Sequence, residues 1–248
     1  MIGRWRKSIL KRWAALTWKH NFQVIERDGL LWLANRKNFV DRNYGIFGNF
    51  EGEQRAHFFQ SDLAPFDVLL DVGANFGLYA ILGAAKGVAQ EIHAFEPDPR
   101  NRAQMQANLL LNGLLDAVKV HPEAVSSEPG VVTLSLHPST STGTSRIVSG
   151  GLEGISVPTV ALDGQFQWSG KRLAIKIDIE GHELSALKGM GRLLRDNDCW
   201  LQIESFDHNR AAVHDEMHRC GYGLAFKVGD DLYYARQERL HRFFEPAP

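Results

Sequence analysis

Apolar positions along the chain fall into two alternating patterns. Short dense runs, of which Val68-Leu69-Leu70-Asp71-Val72 is the clearest, end in a charged residue and a turn, and ten to fifteen residues with apolar positions three and four apart follow. The runs predict buried strands at Val68–Val72, Glu91–Glu96, Val118–His121, Arg172–Asp178 and Trp200–Glu204, and the periodic segments predict helices opening near Gly77, Pro99, His182 and Asn209. Strand and helix in alternation imply a doubly wound, mostly parallel sheet with helices on both faces, and such sheets place ligands beyond the carboxyl ends of their strands. Two segments depart from the alternation. Val131–Leu136 and Ile155–Val160 read as strands of an inserted hairpin, joined by a small polar loop over 138–145, and Gly223–Lys227 with Asp231–Arg236 read as a C-terminal antiparallel hairpin around Val228-Gly229-Asp230.

Ahead of the first buried strand the pattern differs. Leu30–Asn35 and Asn38–Asn43 look β-like, Glu53 to Leu63 looks helical, and residues 21–64 read as a cap preceding a main domain over 65–248. Residues 1–20 place Ile2, Trp5, Ile9, Trp13 and Leu16 on one helical face, with Arg4, Arg6, Lys7, Lys11, Arg12 and Lys19 mostly elsewhere. Such a helix packs on its own domain, on a second subunit or on a membrane surface. Its charge is local: the whole chain of 248 residues has 28 basic and 29 acidic side chains, and beyond residue 20 the balance is −7. No further basic patch with interleaved aromatics follows, which disfavours a nucleic-acid partner. Two cysteines, Cys199 and Cys220, provide neither a disulfide framework nor a four-ligand zinc site, and no run is long and apolar enough to span a bilayer. These features fit a cytoplasmic protein, with peripheral contact at the inner membrane face as an option for residues 1–20.

Candidate chemistry concentrates at the strand ends. Asp71-Val72-Gly73-Ala74-Asn75-Phe76-Gly77 comes off the first strand and opens a helix, so backbone amides can approach a ligand closely. The dinucleotide fingerprint fails here, because Leu78 stands where its third glycine belongs. About twenty residues on, Glu96 in Phe95-Glu96-Pro97-Asp98-Pro99 ends the second strand where a carboxylate accepts both hydroxyls of a ribose. A glycine turn without a pyrophosphate cradle, followed by a ribose-binding acid, suits S-adenosylmethionine. Asp71, Gly73, Asn75, Gly77 and Glu96 are therefore candidate cofactor residues, joined by Glu123 and Ala124 at the third strand end, where the base lies in this fold class. A bare strand-to-helix turn is the bland account of the glycines, and His121 reads as structural.

These residues also carry a resemblance. Phe66–Tyr79, Phe95-Glu-Pro-Asp-Pro with Asn108-Leu-Leu-Leu-Asn-Gly, Val160-Ala-Leu-Asp163 and Leu173-Ala-Ile-Lys-Ile-Asp-Ile-Glu-Gly-His-Glu183 occur in order, and over roughly Gly45 to Ala235 the chain resembles the FkbM family of S-adenosylmethionine-dependent O-methyltransferases. The resemblance implies a class I methyltransferase, Rossmann-like fold with a seven-stranded sheet containing one antiparallel strand. It also implies methyl transfer to a hydroxyl of a sugar, glycolipid or polyketide.

Such a transfer is an in-line displacement that depends on alignment and is helped by a base that takes the hydroxyl proton. Strand alternation puts Lys176, Asp178 and Glu180 on one side and Ile175, Ile177 and Ile179 on the other. Asp178 and His182 are candidates for acceptor binding and proton removal, with Lys176 holding Asp178 ionised; Glu180 and Glu204 are candidates for substrate contact. The bland account of this set is a salt-bridge network that shapes the turn. A divalent metal held by Asp178 and Glu204 with His182 is a weaker option, and the favoured reading has no metal. Trp168, Phe206, His208 and Tyr233 are possible acceptor-site residues. A nicotinamide oxidoreductase and a membrane-associated scaffold without catalysis are the competing readings, and a homodimer is possible.

Overall fold

Strand β3 (Phe66–Val72) is buried along almost its whole length, as a strand covered on both faces must be. The computed structural model describes residues 20–48, 50–60, 63–136, 145–148 and 154–244. Around β3 stand β4 (Ala89–Phe95), β5 (Lys119–His121), β10 (Arg172–Ile177), β11 (Asp198–Glu204), β12 (Tyr222–Val228) and β13 (Asp231–Arg236). They form one seven-stranded sheet in the order β12-β13-β11-β10-β3-β4-β5. β13 runs antiparallel to both its neighbours and the other pairings are parallel.

Side chains alternate between two cores. Leu69 and Ala174 face one, with Tyr79, Ile81, Met105 and Leu109 of helices α3 (Leu78–Lys86) and α4 (Pro99–Leu111). Val68, Leu70, Val72, Leu173, Ile175 and Ile177 face the other. There they meet α6 (Glu183–Lys188), α7 (Gly191–Asp196) and α8 (Arg210–Arg219). Residues 76–79, 98–100 and 181–183 thus bring helix starts to the carboxyl ends of the strands, as the alternation requires. Cys199 and Cys220 are free and buried in the second core.

The expected hairpin insertion is a four-stranded sheet. β7 (Gly130–Ser135) pairs antiparallel with β9 (Ile155–Val160), and β6 (Ala124–Val125) and β8 (Arg146–Val148) add outer strands too short to show in the hydropathy pattern. α5 (Leu162–Gln165) follows it, and a 3-10 turn over Gln237–Arg239 and α9 (His241–Phe244) follow β13. Most of the loop joining the expected hairpin strands, and residues 1–19 of the expected amphipathic helix, lie outside the described residues. Among the described residues no helix is long and apolar enough to cross a membrane.

Before β3, β1 (Phe22–Arg27) and β2 (Leu30–Asn35) make an antiparallel hairpin, followed by α1 (Phe39–Gly45) and α2 (Gly52–Phe58). The expectation of a strand over Asn38–Asn43 is therefore corrected to a helix. The Asn38 side chain accepts from the Val40 amide at 2.9 Å, an N-cap, and Val40 and Tyr44, four apart, turn inward. The β2 edge is closed by side-chain amides one turn apart on α4 and its C-cap. Asn108 accepts from the Leu33 amide at 2.7 Å, Asn112 from the Leu31 amide at 2.9 Å, and Gln104 donates to the Leu33 carbonyl at 2.8 Å. Asn108 also donates to the Phe76 carbonyl at 3.0 Å, tying the hairpin, α4 and the turn after β3 together.

Candidate active site

The turn after β3 is built on residues whose backbone few side chains tolerate. Gly73 has φ +83°, Asn75 +53° and Gly77, which caps α3, +91°. The Gly73 and Ala74 amides both donate to the Phe95 carbonyl at 3.0 Å. A Cβ on Gly73 would lie 1.8 Å from the carbonyl oxygen of Asp178, so only glycine lets these two strand ends approach. The turn leaves the Asn75 amide pointing at Glu96, whose Oε2 accepts from it at 2.7 Å while Oε1 accepts from the Asp98 amide at 2.8 Å. Burial pushes the Glu96 carboxyl up to about 7 against those two hydrogen bonds.

Gly73, Asn75, Glu96, Asn101, Glu123 and Ala124 wall one cavity, closed by Leu134 and Ile147 of the inserted sheet. Glu123 presents to it a buried Oε2 with no hydrogen-bond partner. Asp71 and Gly77, both expected at the cofactor, stand behind this wall. Asp71 is 1% exposed and accepts from the Ala80 amide at 3.0 Å, so it anchors the first turn of α3, and Gly77 starts that helix over the Met105 side chain.

A second cleft adjoins the first and shares Gly73, Asn75, Asp178 and Glu180 with it. Its other walls include Phe39, Phe50 and Glu51 from the N-terminal segment, Tyr79 from α3, Lys176 and Glu204 from the sheet, and Asp230 and Asp231 from the last turn. Beneath it runs a polar row across an otherwise apolar sheet face. Asp71, Lys176, Gln202 and Tyr233 are successive register partners on β3, β10, β11 and β13.

Lys176 Nζ donates to Asp178 Oδ2 at 2.8 Å and lies 4.8 Å from the centre of the Tyr79 ring. Burial opposes its charge, but Asp178, Glu51 and Asp71 outweigh that and hold the ammonium well above the lysine range. Asp178 is partly buried, which opposes its charge, yet Lys176 and a hydrogen bond from Glu204 keep it below the ordinary carboxylate range. Glu204 is pushed up to about 10 by burial and the Asp178 charge, so it retains its proton and donates. Glu180, at φ +54°, is pushed up to about 7 by burial and its acidic neighbours.

His182 does not join this group. It caps α6 and its Nε2 lies 2.9 Å from Ser126 Oγ, on neither cavity, so the expectation of a histidine base is corrected. The helix start that follows it explains the offset: Glu183 accepts from the Gly181 amide at 2.8 Å and the turn carries the ring away from Asp178. Trp168, Phe206, His208 and Tyr233 also lie off the cleft walls. Trp168 stacks on Phe166 at 4.0 Å, and the Tyr233 hydroxyl donates to the Gln54 carbonyl at 2.8 Å. Glu51, Phe39 and Phe50 were not foreseen, because nothing in their sequence pattern says that the segment before β3 folds back over the strand ends.

A family model described as methyltransferase FkbM domain matches residues 71–224. Among curated proteins, the chain is 31% identical over 133 residues to the hexuronic acid methyltransferase AglP of Haloferax volcanii, covering 52% of each chain. It is 36% identical over 77 residues to the 31-O-demethyl-FK506 methyltransferase FkbM of Streptomyces tacrolimicus, covering 31% of this chain and 29% of that one. The chain thus spans about half the length of the first relative and less of the second. Among solved structures, a methyltransferase FkbM from Methylobacillus flagellatus superposes with a TM-score of 0.52 at 21% identity, over 78% of this chain and 52% of that one, a likeness of fold. The family match takes in the glycine turn, Glu96, Glu123 and the Lys176–Glu204 region alike, and the chain belongs to the FkbM methyltransferase family.

Proposed function

We propose that this protein is an S-adenosylmethionine-dependent O-methyltransferase that acts on a hydroxyl of a sugar, glycolipid or related hydroxylated small molecule. The observation that carries the proposal is the meeting of two cavities at Gly73, Asn75, Asp178 and Glu180. One has the fittings for an adenosine, and the other is lined with carboxylates that accept hydrogen bonds from hydroxyls.

The first cavity suits the cofactor on three counts. Gly73 leaves no side chain between the turn and the Asp178 backbone. Glu96 sits at a strand end, already fixed by two amides, with acceptor capacity for a ribose diol. The unpartnered Glu123 Oε2 awaits a donor such as an exocyclic amine. When bound, the cofactor supplies an electrophilic methyl group on a sulfonium. The chain's part is alignment and proton handling. Lys176 holds Asp178 ionised and fixed in the wall shared by the two cavities. Glu204, protonated, braces Asp178 from the β11 side. Glu180, in the same shared wall and with its carboxyl near 7, is suited to take the hydroxyl proton.

Calorimetric titration with S-adenosylhomocysteine tests the cofactor half, with NAD as the comparison. Micromolar binding is expected for the first and none for the second; the reverse order would defeat the proposal. Glu96→Ala removes a buried charged acceptor, and a loss of at least about 30-fold in affinity follows from about 2–3 kcal/mol for hydrogen bonds to a charged group. Because the free carboxyl sits near 7 and the ionised form is the one that accepts both ribose hydroxyls, binding strengthens as pH rises. From pH 6 to pH 8 the gain is about tenfold, the fraction ionised setting the limit. A flat profile would remove Glu96 from the ribose. Methyl transfer from labelled S-adenosylmethionine to a panel of glycosides and lipid-linked sugars tests the acceptor half.

A further inference from the structure

We infer that Asp178, Glu180 and Glu204 form a binding site for one hard divalent cation, of the magnesium, manganese or calcium kind, on the floor of the acceptor cleft. One carboxylate oxygen from each of the three lies within 4.8 Å of the others. Oxygen ligands on a calcium-sized ion sit about 2.3–2.6 Å from it, so ligands on opposite sides stand nearly 5 Å apart and a set this tight fits around a single ion. The donors are all carboxylate oxygens, which select hard cations over zinc or copper. They come from two adjacent strand ends, Asp178 and Glu180 after β10 and Glu204 closing β11, which fixes their spacing through the sheet.

A second observation comes from the same cleft. Glu51, carried by the N-terminal segment at φ +50°, has one carboxylate oxygen shut off from solvent with no hydrogen-bond partner. Its other bond is with Tyr79, and it lines the same cleft as the three acids. A bare buried carboxylate oxygen is costly, and a hydrated cation supplies the donors it lacks.

Charge points the same way. Asp230 is met by Arg210 at 3.2 Å, which leaves Glu51, Asp178, Glu180 and Asp231 on the cleft around one ammonium, Lys176, and an ion would take the place of the proton by which Glu204 is bonded to Asp178. Lys176 directs its hydrogen bond to a single oxygen of Asp178. The position has a use that rests on the methyl-transfer reading: Asp178 and Glu180 border both cavities, so an ion there would draw in the acceptor's hydroxyl oxygen and lower its pKa.

The test uses full-length protein stripped with a chelator and dialysed, titrated with Mn2+ alone and followed by electron paramagnetic resonance and calorimetry, with Mg2+ and Ca2+ as competitors. One Mn2+ per chain is expected. E204Q and E180Q should each weaken it at least tenfold while melting no earlier than the parent. Protein that binds S-adenosylhomocysteine but none of the three cations overturns the ion site and leaves the methyltransferase reading intact. Undiminished Mn2+ binding by both variants overturns it as well, since the ion would then lie elsewhere. Binding of Mn2+ without S-adenosylhomocysteine would support the ion site and defeat the methyltransferase reading.

Discussion

Gly73→Ala is expected to lose at least about 3 kcal/mol of stability and all measurable affinity for S-adenosylhomocysteine. Two costs combine. An L-residue at φ +83° is strained by about 1–3 kcal/mol on its own. The new methyl would also stand 1.8 Å from the Asp178 carbonyl oxygen and 2.9 Å from the Ile179 side chain. The first of these is backbone and cannot step aside, because the Asp178 amide is bonded to the Val72 carbonyl at 3.0 Å. Relief therefore requires β3 and β10 to part at their carboxyl ends, which opens the wall shared by both cavities. Gly87→Ala is the control: φ is +62° there as well, but nothing lies within 4 Å of the added carbon. It should cost only about 1–2 kcal/mol and leave cofactor binding intact. For a chain of this size about 2–4 °C of melting temperature accompanies each kcal/mol, so calorimetry separates the two variants. Equal melting and equal binding would mean that the close approach at Gly73 is not what the turn is for.

The same turn shows why part of the site could be seen in the sequence. A strand–turn–helix with Gly73 and Gly77, an acid closing the next strand and the Lys176–Glu180 run are local patterns, and each sits where a parallel sheet gathers its strand ends. Much that depends on sequence neighbours alone was therefore legible: five strands, four helix starts and the C-terminal hairpin, with boundaries shifted by a residue or two. What depends on a long-range return of the chain was not. Glu51 reaches the cleft only because Gln104, Asn108 and Asn112 dock the β1–β2 hairpin against α4, about seventy to eighty residues away in sequence. Over Asn38–Asn43 the sequence suggests extended chain, and only the inward turn of Val40 and Tyr44 reveals a helix. His182 looked catalytic by proximity in sequence to Asp178. Proximity fails across a helix start, where one residue's rotation redirects a side chain toward Ser126.

Lys176→Met should destabilise the protein by about 3–5 kcal/mol at pH 8 and by much less at pH 5.5. Lys176 is 5% exposed at its side chain and is the cation on which Asp178, Asp71 and Glu51 converge. Methionine fills the volume and removes the charge, leaving buried carboxylates uncompensated, which costs more than an exposed pair could return. With Lys176 present, Asp178 titrates below the ordinary range; its contribution is present above the unfolded value near 3.8 and is lost only as pH falls through the lowered one. Asp71 and Glu51 are already raised, to about 6 and about 7, and without the ammonium they rise further while Asp178 turns from lowered to raised. A carboxyl raised in the folded state keeps a proton that the unfolded chain has released, so stability falls as pH climbs from about 4 through the raised value. The deficit of the variant is thus largest in alkali and shrinks on acidification, when protons take the place of the missing ammonium. Urea unfolding at pH 5.5 and 8 measures this difference. A pH-independent loss would assign Lys176 a packing role and would leave Asp178 without the partner that keeps it charged. Adding Asp178→Asn to Lys176→Met should restore about half of the lost stability at pH 8, since one of the stranded charges goes with it while Asp71 and Glu51 remain. The expected pattern, a variant most stable where wild-type carboxylates begin to protonate, is the signature of a cluster in which one buried ammonium sets the charge state of the acids around it.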